Sequence, residues 1–459
     1  MLPFLVLIET AAIFGTIYAG LLRWNGTFEQ AFILTLCYIT SFFYNDLYDF
    51  SAVRRFSDFL TKIPRAFAWG LILLAVSWGI FPDARIPAQA LGIEVLLILA
   101  VLLPGRAAGY AVLRCRTFRE RVLILGAGPM AWPISREIQS RPHLRFDVIG
   151  FVGNQTDSDS LTGGMTWLGE TSSLDQVIKE YSPHRIIVAP AERRGEVPVR
   201  KLVEMRLNGI AVEDGEEFYE QLTGKVMLES LSPSSFVFGR RSGRTRVHLA
   251  IGRMTSMVVS AVGLALTAPL FPLIALAVRL DSPGPIFYVQ DRVGRRGRRY
   301  RMLKFRTMRS VEREASAWAG DNGYRITTVG AWLRKFRLDE LPQFVNILLG
   351  DMNLVGPRPH PVSNFPLFAE KIPQYELRLT VRPGVTGWAQ TRYLYANNLE
   401  QETEKVRYDL YYIKHMSAWL DLRIIFDTIK VVLLGRRSDM TSPVSDPAHE
   451  GSRVHDTAA

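Results

Sequence analysis

Residues 254–278 read MTSMVVSAVGLALTAPLFPLIALAV, and how this run meets a bilayer decides the arrangement of everything around it. The run is long and apolar enough to cross a hydrocarbon core, which takes about 20 residues. Its flanks argue against crossing. Arg240, Arg241, Arg244, Arg246 and Arg253 precede it, and Arg279, Arg292, Arg295, Arg296, Arg298, Arg299 and Arg301 follow it. The positive-inside bias puts both ends on the cytoplasmic side. Pro269 and Pro272 lie past the midpoint, where each removes a backbone donor and bends the helix. The expectation is a re-entrant helix over 254–278, bent at Pro269, that returns to the face it entered. A plain fifth span would carry the basic region after it to the other side.

Working outward toward the C-terminus, Asp281 to Met308 interleaves glycines and arginines with β-prone residues. This predicts a strand pair joined by a turn at Gly294 to Gly297. Lys304 and Arg306 alternate on one strand face, a placement that suits cradling a phosphate. The arginine run also suits anionic lipid headgroups. Nucleic acid is not an expected partner, because few aromatic stacking platforms (Phe287, Tyr288, Tyr300, Phe305) accompany the charge.

Next comes RLDELPQFVNILLGDMNLVGPRPH, Arg337 to His360. Adjacent on a helix, Asp339 and Glu340 point about 100° apart and cannot share a proton as a facing dyad does. A helix N-terminus together with Arg334 and Arg337 favours ionisation of both. One carboxylate can attack phosphorus while its neighbour holds a divalent cation, magnesium being the hard-oxygen partner of phosphates. Spacing alone equally allows a pair that merely complements the helix dipole. The rigid Gly356-Pro357-Arg358-Pro359 segment favours the chemical reading, since it presents the Arg358 guanidinium with little entropy left to lose. Val381 to Arg392, with Arg382, Pro383, Gly384 and Gly387, repeats the device and makes Arg382 a second phosphate-binding candidate. Positioning and charge neutralisation are most of what phosphoryl transfer asks of a protein. Ser417 to Gly435 is apolar but broken by Asp421, Arg423, Asp427 and Lys430, as in an interfacial helix or a buried one. The tail 438–459, with His449 and His455 at no metal-ligand spacing, has a disordered composition.

Toward the N-terminus, residues 1–105 contain four apolar runs and read as a four-helix transmembrane bundle, its first helix lacking the features of a cleaved signal peptide. Loop arginines place both ends of this bundle in the cytoplasm. Glu9 is either an intramembrane functional acid or a solvated or helix-paired one. RVLILGAGPMAWPISREI (Arg121 to Ile138) reads strand, glycine turn, helix, and Gly126, Gly128 and Ala131 fit G-x-G-x-x-A. Asn154 stands where a ribose-binding acid is usual, and Pro133 interrupts the first helical turns. Residues 118–225 therefore form a Rossmann-like α/β domain in which Gly126 and Gly128 are candidate nucleotide contacts. A structural or sensing module fits better than a dehydrogenase, because no hydride-transfer constellation accompanies the loop. A basic linker, 226–253, follows.

The 459 residues carry a net charge of +11 with 48% apolar residues, as expected of a protein meeting an anionic membrane face. Neither cysteine, Cys37 or Cys115, has a partner at redox or metal spacing, which suits a reducing, cytosol-facing location.

From about Arg253 to Gly435 the chain resembles the bacterial sugar transferase family, the polyprenyl-phosphate hexose-1-phosphate transferases. SPGPIFYVQDRVGRRGRRYRMLKFRTM, LRKFRLDELPQFVNILLGDMNLVGPRP, RPGVTGWAQ and YDLYYIKHMSAWLDLRIIFDTI occur in the family's order. The resemblance implies a mainly helical membrane-associated catalytic domain, 279–437, at the cytoplasmic face of the bacterial inner membrane. It implies that Asp339 attacks the β-phosphate of a UDP-sugar, releases UMP, and holds the sugar phosphate until undecaprenyl phosphate takes it. Glu340 would then hold Mg2+, with Arg334 and Arg358 near the phosphates and Lys304 and Arg306 matching the family's Lys-Phe-Arg. Pro269 matches the bend of the family's membrane hairpin. The preceding regions resemble the longer members, whose extra parts are regulatory or oligomeric, so membrane lipids and a dimeric homo-oligomer join the expected partners. The chain departs from the pattern at Gly252, Arg253 and Ser256, where Lys-Arg-x-x-Asp is frequent, at Asp291, and at Phe336 and Arg337 before the acidic pair. The opposing expectation is a membrane scaffold that senses a nucleotide for polysaccharide export without catalysis.

Overall fold

The computed structural model describes residues 2–48, 56–114, 119–141, 146–153, 165–189, 197–231, 246–309, 324–393 and 396–434. Cys115, Asn154, the 232–245 part of the linker and the tail lie outside the described residues. The chain divides into two compact units, Met1–Glu213 and Asp214–Ala459.

In the first unit four helices, α1 (Leu2–Leu22), α2 (Phe28–Tyr44), α3 (Phe56–Ile80) and α4 (Ala88–Arg114), share one apolar core that includes Ile17, Tyr38, Phe42, Phe59 and Ile98. Pro64 and Pro104 lie inside α3 and α4 without ending them, so both helices run longer than their apolar runs suggest. Among the described residues three helices are long and apolar enough to cross a membrane: α3, the Ala88–Tyr110 part of α4, and Leu249–Thr267. Leu7–Leu22 of α1 is a shorter apolar helix, and α2, at 17 residues, starts on a Thr27–Gln30 capping box. Glu9 is helix-paired, its carboxylate 2.8 Å from Arg106 of α4.

The rest of this unit holds a five-stranded sheet in the order β3-β2-β1-β4-β5. Its strands are β1 (Glu120–Leu125), β2 (Phe146–Val152), β3 (Trp167–Gly169), β4 (Arg185–Val188) and β5 (Ala211–Asp214), with α5 (Ala131–Ser140), α6 (Leu174–Tyr181) and α7 (Val199–Leu207) between them. β1 pairs in parallel with both β2 and β4, and β2 with β3. Strands so placed are covered on both faces and read as continuous apolar runs, as in the buried Val122–Leu125.

The second unit opens with α8 (Gly215–Thr223), capped by Asp214. Counted with the α/β region on sequence grounds, α8 and the residues after it instead pack here: Glu220 pairs with Lys414 and His415, Lys225 with Glu404. Two apolar helices follow, α9 (Arg246–Thr267) and α10 (Leu270–Asp281), divided at Ala268–Pro269. Pro269, lacking an N–H, heads α10. Arg253 of α9 donates to the carbonyls of Ile347 (2.7 Å) and Met352 (2.9 Å), and Ser256 Oγ accepts from the Leu354 amide (3.1 Å). At the position where the resemblance implies an acid, a neutral hydroxyl thus makes the anchoring bond.

β6 (Phe287–Val293) and β7 (Arg299–Phe305) form the expected antiparallel hairpin, with Tyr288 opposite Lys304. α11 (Thr328–Lys335) leads into a single 3-10 turn, Leu338–Glu340, and then α12 (Gln343–Leu349). Asn346 fastens α12 to β7, accepting from the Leu303 amide (3.0 Å) and donating to the Arg301 carbonyl (2.8 Å). β8 (Asn353–Val355), α13 (Phe365–Lys371), β9 (Gly384–Thr386), α14 (Trp388–Arg392), α15 (Leu399–Lys414) and α16 (Ala418–Leu434) complete the unit around a core containing Phe368, Trp388, Val406, Leu410 and Ile424.

Candidate active site

The 3-10 turn carries Asp339 and Glu340 into the protein, each only 7% exposed. Because Asn346 zips α12 along β7, this turn faces the strand that carries Lys304. Glu340 Oε1 accepts from Lys304 Nζ (3.2 Å) and from an Arg358 amino group (2.9 Å), with Arg337 at 3.6 Å. Arg337 holds a left-handed φ of 57°, uncommon for a side chain of its size. Asp339 is treated differently: its Oδ1 is buried without a hydrogen-bond partner.

The electrostatics follow from this asymmetry. Burial pushes the Glu340 carboxyl up, yet Lys304, Arg358 and Arg337 hold it well below the ordinary range, so it is a fixed anion. Asp339 is pushed up, first by burial and then by Glu340, with Lys304, Arg334 and Arg337 pulling the other way. The two carboxyls, expected to ionise alike, are therefore set apart. Burial lowers Lys304 to about 8, against the pull of Glu340.

Arg358 rides on a loop fixed from two sides. Gly356 donates to the Thr386 carbonyl (2.9 Å) and Gly384 to the Pro357 carbonyl (3.0 Å), while β8 and β9 pair in parallel. A Cβ on Gly384 would lie 2.1 Å from the Gly356 nitrogen. The two rigid glycine-proline stretches are halves of one feature, not two copies of a ligand clamp. Beneath the loop, Arg378 donates to the Arg358 carbonyl (2.8 Å) and, through Nε, to Asp409 (2.9 Å). His360 Nδ1 lies 2.9 Å from an Arg378 amino group. Since arginine only donates, Nδ1 accepts and Nε2 carries the proton toward Glu402, 3.0 Å away. Burial, then Arg378, depress His360 to about 3, so it stays neutral.

The structure separates the sequence candidates. Lys304, Asp339, Glu340 and Arg358 converge, and Arg334, held by Thr307 Oγ1 (3.0 Å), acts electrostatically on Asp339. Arg306 does not join them. It lies one residue past β7 and donates to the carbonyls of Ser282 (2.5 Å) and Pro283 (2.7 Å), tying down the end of α10. Arg382 also stays apart, donating to the Gly350 carbonyl (3.1 Å). In the first unit, Gly126 and Gly128 sit after β1 as expected, but their amides are engaged internally by the carbonyls of Val152 (2.7 Å) and Ala189 (2.9 Å).

Sequence reasoning assigned nothing to Arg292, Arg378, Asp409 or Glu402. Arg292 is half-buried, donating to Gln290 (2.5 Å) and to the Pro359 carbonyl (2.7 Å), and is lowered to about 10 by desolvation and by Arg358. These residues have no local signature; only a charged side chain within apolar surroundings, as at Arg378 and Asp409, hints at them.

Beside Glu340 and Arg337 opens a largely apolar cleft of about 290 Å³, lined by Leu341, Phe344, Val385 and Val431 among others. Among the described residues no group of three or more His, Cys, Asp or Glu side chains forms a ready metal cage. The unpartnered Asp339 oxygen beside Glu340 fits magnesium in its usual manner, one or two carboxylates plus waters and substrate phosphates.

The bacterial sugar transferase family model matches residues 247–435, a span that contains the whole of this constellation. The chain belongs to that family. It is 38% identical over 237 residues to a UDP-N-acetylgalactosamine-undecaprenyl-phosphate N-acetylgalactosaminephosphotransferase of Aeromonas hydrophila, covering 51% of this chain and 55% of the relative. It is 32% identical over 327 residues to a UDP-glucose:undecaprenyl-phosphate glucose-1-phosphate transferase of Escherichia coli (strain K12), covering 66% and 65%. A protein of that same description from Caulobacter vibrioides is 40% identical over 211 residues, 44% of this chain and 78% of the relative. The chain thus spans between about half and two thirds of the length of the first two relatives. The match to the Caulobacter protein covers less of this chain than of that relative. Within the bacterial sugar transferase family, the converging residues Lys304, Asp339, Glu340 and Arg358 all lie inside the matched region.

Proposed function

We propose that this protein transfers a hexose 1-phosphate from a UDP-sugar to undecaprenyl phosphate at the cytoplasmic face of the bacterial inner membrane, releasing UMP. The observation that carries this reading is the Asp339 oxygen, buried and without a partner, next to a glutamate fixed as an anion by three cations. A docking scaffold has no use for such an arrangement. The Asp339 carboxylate attacks the β-phosphorus of the UDP-sugar, the bond to the UMP oxygen breaks, and UMP leaves with that electron pair. An oxygen of undecaprenyl phosphate then attacks the same phosphorus and displaces Asp339. Lys304, Arg337 and Arg358 hold Glu340 and offer their remaining donors to the phosphates, the kind of preorganised charge that phosphoryl transfer rewards. Glu340 would hold Mg2+, which when bound neutralises phosphate charge.

The membrane arrangement supports the reading. α9 and α10 form a re-entrant hairpin bent at Pro269: Arg253 fixes one end and Arg306 the other to the same catalytic unit. The apolar cleft beside Glu340 suits the first isoprene units of the acceptor. α1 to α4 form a transmembrane bundle, and the sheet region is a Rossmann-like structural module.

The test is UMP release by full-length protein in nanodiscs, across UDP-glucose, UDP-N-acetylgalactosamine and other UDP-sugars, with and without undecaprenyl phosphate. Intact-mass detection of a phosphosugar adduct that Asp339→Asn abolishes is expected. No UMP from any UDP-sugar would overturn the proposal.

A further inference from the structure

A second, polar cleft shares no lining residue with the one beside Glu340. The β6–β7 turn encloses a cleft of about 460 Å³ against the C-terminal end of α12. Arg295, Arg296, Arg298 and Arg299 line it from the turn and Arg382 from the loop before β9, with Asp351 the one acid in the lining. The turn is tight: Arg296 and Gly297 hold φ of 56° and 75°, and Gly294 donates to the Arg298 carbonyl (2.8 Å).

Guanidiniums this crowded repel one another. Burial, then Arg382 and Arg296, push Arg295 below its ordinary value. Two donors in the lining, Arg295 Nε and Tyr300 Oη, are buried with no hydrogen-bond partner, whereas buried polar groups are normally satisfied. Clustered guanidiniums with unmatched donors are complementary to an anion with several oxygens.

We infer that this cleft binds a phosphate-bearing ligand at a site separate from the Asp339–Glu340 pair. The assignment goes beyond the transfer reaction and stands without it. It also gives Arg382 a phosphate to bind, though not the one beside the nucleophile. The phosphate has two sources. Arg253, near the start of the apolar stretch of α9, reaches the Ile347 and Met352 carbonyls beside the cleft wall, which puts lipid headgroups within reach. A soluble nucleotide diphosphate offers the same chemistry.

Full-length protein in detergent is titrated separately with inorganic pyrophosphate, with UDP and with dihexanoyl-phosphatidylglycerol. Uridine serves as the phosphate-free control, and hydrogen exchange is read over residues 294–300. Protection is expected with at least one phosphate probe and none with uridine. Protection by the lipid alone assigns a headgroup, and protection by UDP or pyrophosphate assigns a soluble ligand. The exposed pair Arg298→Gln/Arg299→Gln weakens binding by about tenfold or more, as does Tyr300→Phe to a lesser degree. Arg358→Gln, at the catalytic centre, leaves the protection in place. The inference is overturned if no probe protects this segment, or if Arg358→Gln removes the protection while the double variant keeps it. UMP release measured on the same preparations separates either result from failure of the transferase reading.

Discussion

Arg378 donates to the main-chain carbonyl of Arg358 over 2.8 Å while the same guanidinium is paired with the buried Asp409. The backbone that presents Arg358 to Glu340 is thus held from below by a second, buried arginine. Arg378→Ala leaves Asp409 buried and unpaired, and removal of one partner of a buried pair costs about 3–5 kcal/mol. Thermal unfolding should show that loss, and the double variant Arg378→Met/Asp409→Leu should recover much of it. The recovered protein should still transfer slowly, with kcat reduced more than KM, because the Arg358 loop has lost its tether.

Asp339→Asn keeps shape and removes the proposed nucleophile. Turnover should fall by about a thousandfold or more, on the scale typical of a lost nucleophile, with thermal unfolding unchanged. Normal transfer by this variant would refute the covalent mechanism.

The pH profile has two limbs with different owners. Asp339 is raised, so the active carboxylate is lost on acidification at a pH above the usual aspartate range. Lys304 is lowered to about 8, so its charge, present below that value, is lost as pH rises through it, and activity should decline on the alkaline side near pH 8. Lys304→Arg keeps the charge at alkaline pH. If it is active, its alkaline limb should move upward, and a limb left near 8 would assign that titration elsewhere.

Gly384→Ala places a methyl group 2.1 Å from the Gly356 nitrogen. The two loops must separate, at a cost of about 1–3 kcal/mol if the strain behaves like overpacking. Transfer should fall more than stability, since the displaced loop carries Arg358. Full activity in Gly384→Ala would show that the contact between the two loops does not position the site.

Much of the second unit was legible locally. The hairpin turn at Gly294 to Gly297, the helix break at Pro269 and the acidic pair before α12 each follow from residues within one turn of the feature. Arg306 misled for a physical reason. Alternation gives the face of a strand, but β7 ends at Phe305, and beyond it the guanidinium finds the free carbonyls at the end of α10. Gly126 and Gly128 show another long-range effect: their spacing matches a phosphate turn, and the carbonyls that accept from their amides, Val152 and Ala189, come from distant parts of the chain.

By itself the sequence determined where apolar length, proline and charge punctuate the chain, which carboxylates and arginines are available, and the family to which residues 247–435 belong. Those are short-range properties, written in spacing and composition. Only the tertiary structure decided which carboxylate is engaged and which is left unpartnered, that Gly356 and Gly384 belong to one contact, and that Arg378 stands behind Arg358. Burial and pairing across tens of residues set a side chain's charge and freedom, and neither is a property of its neighbours along the chain.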